Sequence, residues 1–330
     1  MPVLDGVPDL PGQVAAYVDG ELVHDVGDDA VRSVYSSTKG ILGAVVALLV
    51  DRGALDLDAT VASLWPEFAA AGKAGVTVRQ ALSHQAGVPV VDGGYTAADA
   101  LDQSRMAALV AAQAPLWEPG TAHGYHALTI GTIGDELVRR VAGRTVAEVY
   151  AAELAVPGLT LGAAVDAVEV GLPTDEDLAA WGALMGEPNE LAPRAEPVGG
   201  PPLFFFVQTP GFRASGQPAG AAVGSARGLA AFYANLPSVI SRAALEACAT
   251  EQVRGPDRLI GKDNAYGVVF EVPSPGLQLG GPGSFGHGGM GGSVAFLDGG
   301  LAFAYVPPRL PGPTALEQVA EVVAAIRAAT

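Results

Sequence analysis

The stretch VYSSTKG, residues 34–40, leads directly into a long apolar run, ILGAVVALLV, residues 41–50. It contains Lys39, one of only three lysines in the 330 residues, placed three positions after Ser36. Apolar side chains recur nearly all round a helical wheel from residue 37 to about residue 52. The stretch therefore predicts a helix that is buried on most faces, with a serine and a lysine at its start.

Ser36 and Lys39 have the spacing that one face of a helix brings together, because residues i and i+3 are neighbours there. A serine hydroxyl is a poor nucleophile at neutral pH and needs a base within hydrogen-bonding reach. A lysine amine serves as that base only where burial lowers its pKa from about 10.4. The apolar run behind Lys39 would supply that burial. The pair therefore predicts a nucleophile and its base; the alternative is a helix-capping serine followed by a surface lysine.

Segments with strand patterns lie at both ends of the chain. The first, QVAAYVDGELVHDVG, has a tight-turn pair at Asp19-Gly20 and predicts a β-hairpin. The later segments are YGVVFEV, SFGHGG, SVAFLDGG and LAFAYV, with a second tight turn at Asp298-Gly299-Gly300. We expect these segments to form one antiparallel sheet flanked by the N- and C-terminal helices, with a mostly helical lobe inserted. The predicted fold class is therefore α+β.

The middle of the chain carries mostly helical patterns. Predicted features are a helix from a capping box at Thr96-x-x-Asp99 to about Gln113, a helix from Leu128 to Ala142, a helix after a capping box at Thr145-x-x-Glu148, an irregular loop from Glu187 to Ala219, helices from Ser225 to Leu236 and near Ala243, and a terminal helix opened by Thr314-x-x-Glu317. We therefore expect a discontinuous sheet domain, residues 1–55 and 220–330, and an inserted helical domain, residues 56–219. The cleft between such units is the default place for chemistry.

Composition excludes several classes of function. The formal net charge of −17 repels polyanions, so nucleic acid is not expected as a partner. No stretch of about 20 apolar residues is present, so no membrane span is predicted. A single cysteine, Cys248, and no visible secretory signal favour a reducing compartment, and we expect a cytoplasmic protein. No metal-ligand spacing, phosphate loop or Gly-x-Ser-x-Gly motif occurs, so neither a metal nor another cofactor is expected.

Four segments in order, VYSSTKGILGAVVALLVDRGALDLDATVASLWPEF, GVTVRQALSHQAGV, WEPGTAHGYHALTIGTIGDELVRRVAGR and GHGGMGGSVAFLD, resemble landmarks of the serine β-lactamase/penicillin-binding protein superfamily. More narrowly, the chain resembles its class C-like branch of carboxylesterases, the family VIII esterases. In that superfamily the serine of Ser-x-x-Lys is acylated and the lysine activates it, which implies these roles for Ser36 and Lys39. Tyr125, in Gly-Tyr-His-Ala, matches the catalytic tyrosine that exchanges protons with the lysine and the leaving group; the alternative is an ordinary half-buried loop tyrosine.

A third landmark is the strand that carries Lys-Thr-Gly in β-lactamases, which here reads His287-Gly288-Gly289-Met290. Paired glycines let a backbone approach a ligand closely, and the resemblance implies that His287, Gly288 and Gly289 bind substrate. It also implies an oxyanion hole formed by the backbone N–H groups of Ser36 and Met290. The alternative is a glycine-rich bulge with no catalytic part.

The polar residues beside these landmarks bear on the substrate. His126 is a further substrate-binding candidate, although a structural histidine is the alternative, as it is for His84 and His123. Class C β-lactamases carry Tyr-x-Asn where this chain has Ala127, and His287 replaces the lysine that holds the carboxylate of penicillins and D-Ala-D-Ala peptides. A histidine is largely neutral at pH 7. We therefore expect neutral esters to be favoured over β-lactams.

Three functional readings remain open at this point. The first is a serine carboxylesterase acting on small carboxylic esters through an acyl-enzyme, with weak or no β-lactamase activity. The second is an acyltransferase or amide-forming biosynthetic enzyme on the same scaffold, in which an alcohol or amine replaces water. The third is a catalytically silent binding module, against which the joint presence of Ser36, Lys39 and Tyr125 argues. The expected partner is a small ester or acyl substrate, and the sequence does not indicate an oligomeric state.

Overall fold

The computed structural model describes residues 2–185, 190–274 and 280–330. The strands are β1 (Gln13–Val18), β2 (Glu21–Val26), β3 (Arg32–Ser33), β4 (Leu159–Thr160), β5 (Val223–Gly224), β6 (Val253–Pro256), β7 (Asp263–Tyr266), β8 (Phe285–Gly288), β9 (Val294–Asp298) and β10 (Leu301–Val306). The helices are α1 (Lys39–Asp51), α2 (Val61–Leu64), α3 (Val78–Leu82), α4 (Ala97–Leu101), α5 (Gln103–Ala112), α6 (Thr129–Ala142), α7 (Val146–Glu153), α8 (Asp175–Met185), α9 (Leu203–Phe206), α10 (Pro210–Ser215), α11 (Ala226–Val239), α12 (Arg242–Ala249) and α13 (Ala315–Ala329). Short 3-10 helices cover Tyr35–Thr38, Pro66–Gly72 and Ala192–Ala195.

The main sheet has the strand order β2-β1-β10-β9-β8, and its neighbouring strands are antiparallel. Its first hairpin turns at Asp19 and Gly20, whose φ angles of +48° and +84° suit a two-residue turn. Its last hairpin pairs Asp298 with Leu301, and Gly299 has a positive φ of +58°. Because β1 pairs with β10, the two ends of the chain meet in one sheet. Both predicted hairpins and the predicted fold class are confirmed.

The two faces of this sheet pack against different helices. Val14 and Ala16 share a core cluster with residues of α13, which therefore covers one face as predicted. Ala15 belongs to the larger cluster on the opposite side, where α11 lies along β1, β9 and β10. Helix α1 reaches the sheet at β8. The expectation that the first helix covers this face is therefore met in part, because α11 occupies most of it.

Helix α1 is enclosed by other helices. It packs against α6, α7 and α12, and every residue from Lys39 to Leu49 is buried, which confirms the predicted buried helix. Gly43 lets the Phe270 ring lie directly against the helix, since a Cβ at position 43 would stand 2.6 Å from ring carbons. Helix α1 thus occupies the centre of the molecule, and its first residue, Lys39, starts inside the core.

The predicted helix from Thr96 to about Gln113 is two helices. The capping box of Thr96 and Asp99 forms as expected, but α4 then ends. Asp102 adopts an extended backbone with ψ of +98°, and its side chain accepts a hydrogen bond from the Arg105 N–H to begin α5. An aspartate favours the N-cap over the helix interior because its side chain competes for backbone donors. The single-helix prediction was therefore wrong.

Two further details differ from the sequence-based expectations. The capping box at Thr145 and Glu148 is confirmed, but Thr314 has a helical backbone and its side chain makes no capping hydrogen bond, although α13 itself is present. In YGVVFEV, strand β7 ends at Tyr266, and Val269 has a positive φ of +69° that interrupts an extended strand. The segment then pairs with β7 and β8 by isolated bridges alone.

The segment from residue 187 to residue 219 is less irregular than predicted. Residues 187–189 lie outside the described residues, whereas the rest includes one 3-10 helix and the helices α9 and α10. A small antiparallel sheet pairs β4 with β5 and β5 with β3, so β4, from the predicted helical domain, pairs with a strand outside that domain. The division of the chain at residues 55/56 and 219/220 stays a prediction.

Within the described ranges, the longest helices are α6, α11 and α13, with 14 or 15 residues. A helix that crosses a bilayer needs about 20 apolar residues. Over the described ranges, no helix combines the length and the apolar character that a membrane span requires.

Candidate active site

Ser36 and Lys39 meet at the start of α1. Ser36 lies in the 3-10 helix Tyr35–Thr38, whose three residues per turn bring positions i and i+3 onto one line. The Lys39 Nζ donates a hydrogen bond to the Ser36 Oγ at 3.0 Å and another to the carbonyl oxygen of Ala219 at 2.9 Å. The Ser36 side of the pair is partly exposed, whereas Lys39 has no exposed surface. A reactant can therefore reach the hydroxyl while the amine stays out of water.

The surroundings of Lys39 make its amine a usable base. Burial lowers the pKa of this amine to about 7, and the nearby carboxylate of Glu271 opposes part of the decrease. A substantial fraction of the amine is therefore neutral at physiological pH, and a neutral amine can accept the proton of the Ser36 hydroxyl. The expected desolvation of Lys39 is present in the structure.

The turn that carries Ser36 has a strained backbone held by hydrogen bonds. Tyr35, directly before the serine, has a φ of +48°, which is uncommon for a bulky residue. The Thr38 Oγ1 donates to the Tyr35 carbonyl and accepts the N–H of Ala222 at 3.1 Å. The N–H of Val34 in turn donates to the Ala222 carbonyl at 3.1 Å. Such strain persists where the surroundings over-determine it, which is typical of functional turns.

Two serines tie the same turn to β8. The Ser37 Oγ donates to the carbonyl of His287 at 3.1 Å. The Ser293 Oγ donates to the carbonyl of Val34 at 2.8 Å and lies 3.0 Å from the Ser37 Oγ. Sequence reasoning did not identify these serines, because their partners lie more than 200 positions away along the chain. They fix the distance between the nucleophile and the glycine-rich segment.

Tyr125 completes a group of three side chains. The Nζ of Lys39 lies 4.8 Å from the centroid of the Tyr125 ring. Burial and then the Glu271 carboxylate raise the pKa of the Tyr125 phenol well above its usual range, with the Ser36 side chain acting in the opposite direction. The phenol therefore stays protonated at neutral pH and can act as a proton donor.

Three successive backbone N–H groups hold the loop that presents Tyr125. The N–H of Gly124 donates to the carbonyl of His84 at 3.2 Å, and that of His126 donates to the His84 Nδ1 at 2.9 Å. Between them, the N–H of Tyr125 donates to the Asp257 Oδ1 at 3.0 Å. His84 itself has a positive φ of +64°. His84 and Asp257 thus position the tyrosine without being among the residues singled out for chemistry in the sequence.

The glycine-rich segment after β8 lies against the nucleophile turn. A Cβ on Gly289 would stand 2.7 Å from the carbonyl oxygen of Val34 and 3.1 Å from the Cβ of Tyr35. A Cβ on Gly291 would clash with the Tyr35 ring at 2.2 Å. Glycine is therefore required at these positions for the close approach, which brings the backbone of Met290 beside the turn that contains Ser36.

Comparison with known proteins identifies the family of this chain. The family model described as Beta-lactamase matches residues 5–327. The chain belongs to the beta-lactamase family. It is also 34% identical, over 92% of its own length and 78% of the relative's, to a protein named esterase/beta-lactamase LipL from Mycobacterium tuberculosis. Because the family model and this relative agree, the chain belongs to the esterase branch of the serine β-lactamase/penicillin-binding protein superfamily. It is a serine hydrolase.

Solved structures of the beta-lactamase family superpose closely on this chain. EstA from Arthrobacter nitroguajacolicus Rue61a has a TM-score of 0.84 at 34% identity, with 97% of this chain and 93% of that chain covered. A structure described as a family VIII carboxylesterase has a TM-score of 0.82 at 28% identity, with 98% and 93% covered. The superfamily resemblance inferred from the four sequence landmarks is therefore confirmed.

The side chain of His287, for which the sequence predicts the position of the β-lactamase lysine, is fully buried. Its Nδ1 hydrogen-bonds to the Gly288 carbonyl at 2.6 Å. Its Nε2 is buried and has no hydrogen-bond partner among the described residues. Burial, and then the charge of Lys39, lower the pKa of His287 well below its usual value. The ring is therefore neutral, and this position offers no cation to an anionic substrate.

His126 has an environment that fits the structural alternative. Its ring is fully buried, its Nε2 accepts the N–H of Val88 at 3.1 Å, and its Nδ1 hydrogen-bonds to the Gly124 carbonyl at 2.6 Å. Burial lowers the pKa of His126 to about 4. Both ring nitrogens are thus engaged within the protein, which leaves neither for a substrate. His126 supports the Tyr125 loop from inside.

Glu271 is a residue of the site that sequence reasoning missed. Its carboxylate is buried and accepts the N–H of Gly288 at 2.8 Å, and its Oε2 lies 3.6 Å from the His287 Nδ1. Burial raises the pKa of Glu271 to about 7, although the Gly288 hydrogen bond and the charge of Lys39 favour the ionised form. The one sequence signal was a glutamate inside the apolar run YGVVFEV, where alternation would place it on a solvated face.

An aromatic wall formed by Tyr35, Phe204 and Phe205 lies beside the nucleophile turn. The Tyr35 and Phe204 rings are stacked with centroids 5.4 Å apart, and the Tyr35 hydroxyl donates to the Phe204 carbonyl at 3.2 Å. The Phe205 ring meets Phe204 edge-on at 5.3 Å and is 45% exposed. Met290, on the glycine side of Tyr35, is 50% exposed. These exposed apolar groups offer a surface to the apolar part of a substrate.

Cys248 lies in α12 away from these groups. It is fully buried, and burial raises the pKa of its thiol to about 12, so the thiolate is not populated at neutral pH. Since the thiolate is the reactive form, Cys248 fits a structural role. Within the described ranges, His, Cys, Asp and Glu side chains do not converge into a group that could hold a metal ion.

Proposed function

We propose that this serine hydrolase is a carboxylesterase for small neutral esters, with Ser36 as nucleophile, Lys39 as base and Tyr125 as acid. The observation that carries the proposal is the contact of 3.0 Å between the buried Lys39 amine and the Ser36 hydroxyl, with the Tyr125 ring 4.8 Å from the same amine. The names of the similar proteins, an esterase/beta-lactamase and a family VIII carboxylesterase, support the same class of reaction.

In the acylation step, the neutral Lys39 takes the proton of Ser36 as the serine oxygen attacks the ester carbonyl carbon. The bond to the alcohol then breaks, and the Tyr125 phenol gives its proton to the departing alkoxide. The Lys39 ammonium returns a proton to Tyr125, so the alcohol leaves neutral. The high pKa of Tyr125 favours this acid role, because a phenol that stays protonated cannot begin as a base.

In the deacylation step, water attacks the acyl carbonyl and gives a proton to Lys39. The bond between the acyl carbon and the Ser36 oxygen breaks, and Lys39 returns the proton to that oxygen. The carboxylic acid leaves and the site is restored. Both steps therefore use one amine as a proton carrier, which requires that its pKa lie close to the working pH.

We assign the oxyanion hole to the backbone N–H groups of Ser36 and Met290. The close approach of Gly289 to Val34 and Tyr35 supports this assignment. Neither N–H donates a hydrogen bond to any group in the portion of the chain that the structure describes. Two unengaged donors next to a nucleophile can stabilise the developing charge on the carbonyl oxygen, and loss of one such donor typically costs roughly 10²–10³-fold in rate.

The proposed preference for neutral esters follows from the charges at the site. The neutral His287 stands where a lysine would bind a substrate carboxylate, and the buried acids Glu271 and Asp257 lie nearby. A β-lactam or a D-Ala-D-Ala peptide would bring an anion to a site without a matching cation. We propose that β-lactam hydrolysis is weak for this reason, and that the apolar part of the ester lies along the wall of Tyr35, Phe204 and Phe205.

The direct test is turnover of p-nitrophenyl acetate and butyrate by the wild type and by Ser36→Ala. We expect loss of at least ~10³-fold in kcat/KM, whereas Ser63→Ala, at an exposed position, should behave as wild type. A fluorophosphonate should add once to the wild type and not to Ser36→Ala in intact mass spectra. Equal hydrolysis by wild type and Ser36→Ala would end the proposal, and nitrocefin turnover matching the esters would end the proposed substrate preference.

The acyl-enzyme would also serve the second reading, transfer to an alcohol or amine. No described residue distinguishes the two acceptors, so hydrolysis is proposed on the esterase relatives and transfer stays an alternative. Adding an alcohol to the p-nitrophenyl butyrate assay separates them: hydrolysis predicts butyric acid as the main product at ordinary alcohol concentrations. A transfer ester as the main product would favour the acyltransferase.

A further inference from the structure

We propose that Glu271 is a positioning residue of this site, which holds β8 against the nucleophile turn and governs the charge state of the Lys39 amine. The inference rests on the proposed function, because it needs Lys39 to act as the base. Glu271 is a buried carboxylate that takes no direct part in the proposed acylation and deacylation steps. Glu271 would act through Lys39 and Gly288, without touching the substrate.

Glu271 is bound to β8 by three hydrogen bonds. Its N–H donates to the Gly286 carbonyl at 2.9 Å and its carbonyl accepts the Gly286 N–H at 3.1 Å. Its carboxylate accepts the N–H of Gly288 at 2.8 Å. Backbone and side chain of one residue thus bind alternate residues of the strand that leads to Met290. Loss of the side-chain contact would free the strand where it enters the proposed oxyanion hole.

The Glu271 carboxylate interacts electrostatically with groups on several elements. Its Oε2 lies 3.6 Å from the His287 Nδ1 on β8. Its charge also acts on Lys39 on α1, Tyr266 on β7, Tyr233 on α11 and Tyr125 before α6, and the charge of Asp257 acts on it. Burial keeps the three tyrosines and His287 neutral at pH 7. Among these described groups, Lys39 is the one that can carry a positive charge near neutral pH. The Glu271 carboxylate therefore favours the charged form of this amine and the neutral form of the three tyrosines.

The charge of Glu271 affects proton transfer through Lys39. A buried carboxylate stabilises a nearby ammonium, so Glu271 makes Lys39 harder to deprotonate. It also stabilises the ammonium that forms when Lys39 takes the Ser36 proton. Two groups coupled in this way titrate as a pair, not singly. Without the carboxylate charge, the Lys39 amine should therefore be deprotonated at lower pH. The deprotonated amine should also be a weaker base.

The test compares wild type with Glu271→Gln, because the glutamine amide oxygen can still accept the Gly288 N–H. We measure kcat/KM and kcat for p-nitrophenyl butyrate from pH 5 to 9. In Glu271→Gln, the acidic limb of the kcat/KM–pH profile should move to lower pH by about one unit. The value of kcat on the plateau at higher pH should fall several-fold. Glu271→Asp, which keeps the charge, should return the limb toward its wild-type position. A limb that does not move in Glu271→Gln overturns the proposal, whatever happens to the plateau.

The control for burial is Asp135→Asn, since Asp135 is a buried carboxylate outside the site. Its acidic limb should match that of the wild type. If Glu271→Gln does not fold by circular dichroism, the rate of fluorophosphonate addition to wild-type Ser36 gives a second reading. A coupled pair broadens that rate–pH curve beyond a single ionisation, and a single-ionisation curve overturns the proposal.

The outcomes separate this inference from the proposed function. An unshifted limb in Glu271→Gln, with Ser36→Ala inactive, rejects the role of Glu271 and leaves the esterase intact. Full activity in Ser36→Ala rejects the esterase mechanism and the inference with it.

Discussion

The amine of Lys39 donates to the carbonyl oxygen of Ala219, 180 positions later in the chain, at 2.9 Å. That carbonyl is itself fixed, because the Ala219 N–H donates to the Gln217 side chain at 2.8 Å, and Gln217 donates to the Leu128 carbonyl. The two acceptors of Lys39 are this carbonyl and the Ser36 hydroxyl, and the lysine side chain that reaches both is fully buried. The planar guanidinium of an arginine would have to fit the same buried position.

Lys39→Arg should abolish most activity even though it keeps the positive charge. A guanidinium is always protonated in proteins and is planar, so it cannot take the Ser36 proton. We expect kcat/KM for p-nitrophenyl butyrate to fall by roughly 10²–10⁴-fold. The matched control is Lys73→Arg, because Lys73 is also fully buried and donates to the carbonyls of Ala70 and Ala111. That variant should lose stability while its folded fraction, counted by fluorophosphonate titration, keeps its turnover; equal loss of turnover in both would contradict the prediction.

The pH dependence of kcat/KM should report the titration of the buried base. Because burial lowers the pKa of Lys39 to about 7, the amine is protonated and inactive below that value and free above it. Activity should therefore rise with pH along an acidic limb centred near pH 7. Rates for p-nitrophenyl butyrate from pH 5 to 9, corrected for spontaneous hydrolysis, measure it. A limb near pH 4 would point to a carboxylate as the base instead.

Tyr125→Phe should lower kcat by roughly 10²–10⁴-fold with little change in the fold, because it removes the proposed donor to the leaving group. Tyr233→Phe is the control. The Tyr233 hydroxyl is also buried near Lys39, close to Gly40, but it has no hydrogen-bond partner among the described residues. Its removal should leave kcat nearly unchanged. The effect of Tyr125→Phe should shrink for p-nitrophenyl esters, whose leaving group needs no proton, compared with alkyl esters; equal effects would argue against the acid role.

Phe205→Ala should alter the dependence of activity on acyl chain length. The exposed Phe205 ring stands on Phe204 at the edge of the aromatic wall, and an aromatic contact contributes about 0.5–1.5 kcal/mol beyond its area. We expect KM for p-nitrophenyl hexanoate to rise ~3–10-fold and KM for the acetate to stay the same. Val198→Ala, at another exposed apolar residue, is the control. An equal change in KM for the acetate and the hexanoate would show that the aromatic wall does not bind the acyl chain.

Asp135→Asn should change how stability depends on pH. Burial raises the pKa of Asp135 in the folded protein to about 6, above its unfolded value near 3.9. Its contribution to stability is therefore complete below about pH 4 and is lost as the pH rises through 6, by roughly 3 kcal/mol in all. The asparagine can still accept the Val146 N–H and does not ionise. Urea unfolding at pH 4 and pH 8 should show the variant gaining by that amount relative to wild type at the higher pH; a constant difference would contradict this.

Much of the site could be predicted because its signals are local. Ser36 and Lys39 are three positions apart on one helical start, so their contact follows from helix geometry. Hairpins at Asp19-Gly20 and Asp298-Gly299 follow from turn residues that tolerate a positive φ. These features depend on neighbours in sequence, where propensity and spacing act directly.

The remaining features depend on tertiary contacts that spacing does not encode. The charge of Glu271 acts on Lys39, which lies more than 200 positions earlier in the chain, and the run YGVVFEV does not indicate that its glutamate is buried. The break at Asp102 was missed because the apolar pattern continues through it, although aspartate prefers to cap the next helix. His126 was a candidate ligand by its place in the sequence, but Val88 and Gly124 occupy its nitrogens.

The absence of a side chain at Gly43 affects the surroundings of the Lys39 amine, one helical turn earlier in α1. Gly43 follows Lys39 by four positions, on the same side of α1, and the Phe270 ring that fills its notch precedes Glu271 directly. A methyl group at position 43 would stand 2.6 Å from ring carbons of Phe270, so the ring or the helix would have to move. Because Phe270 precedes Glu271, we expect such a substitution to shift the carboxylate relative to the amine and to change the pH dependence of the enzyme.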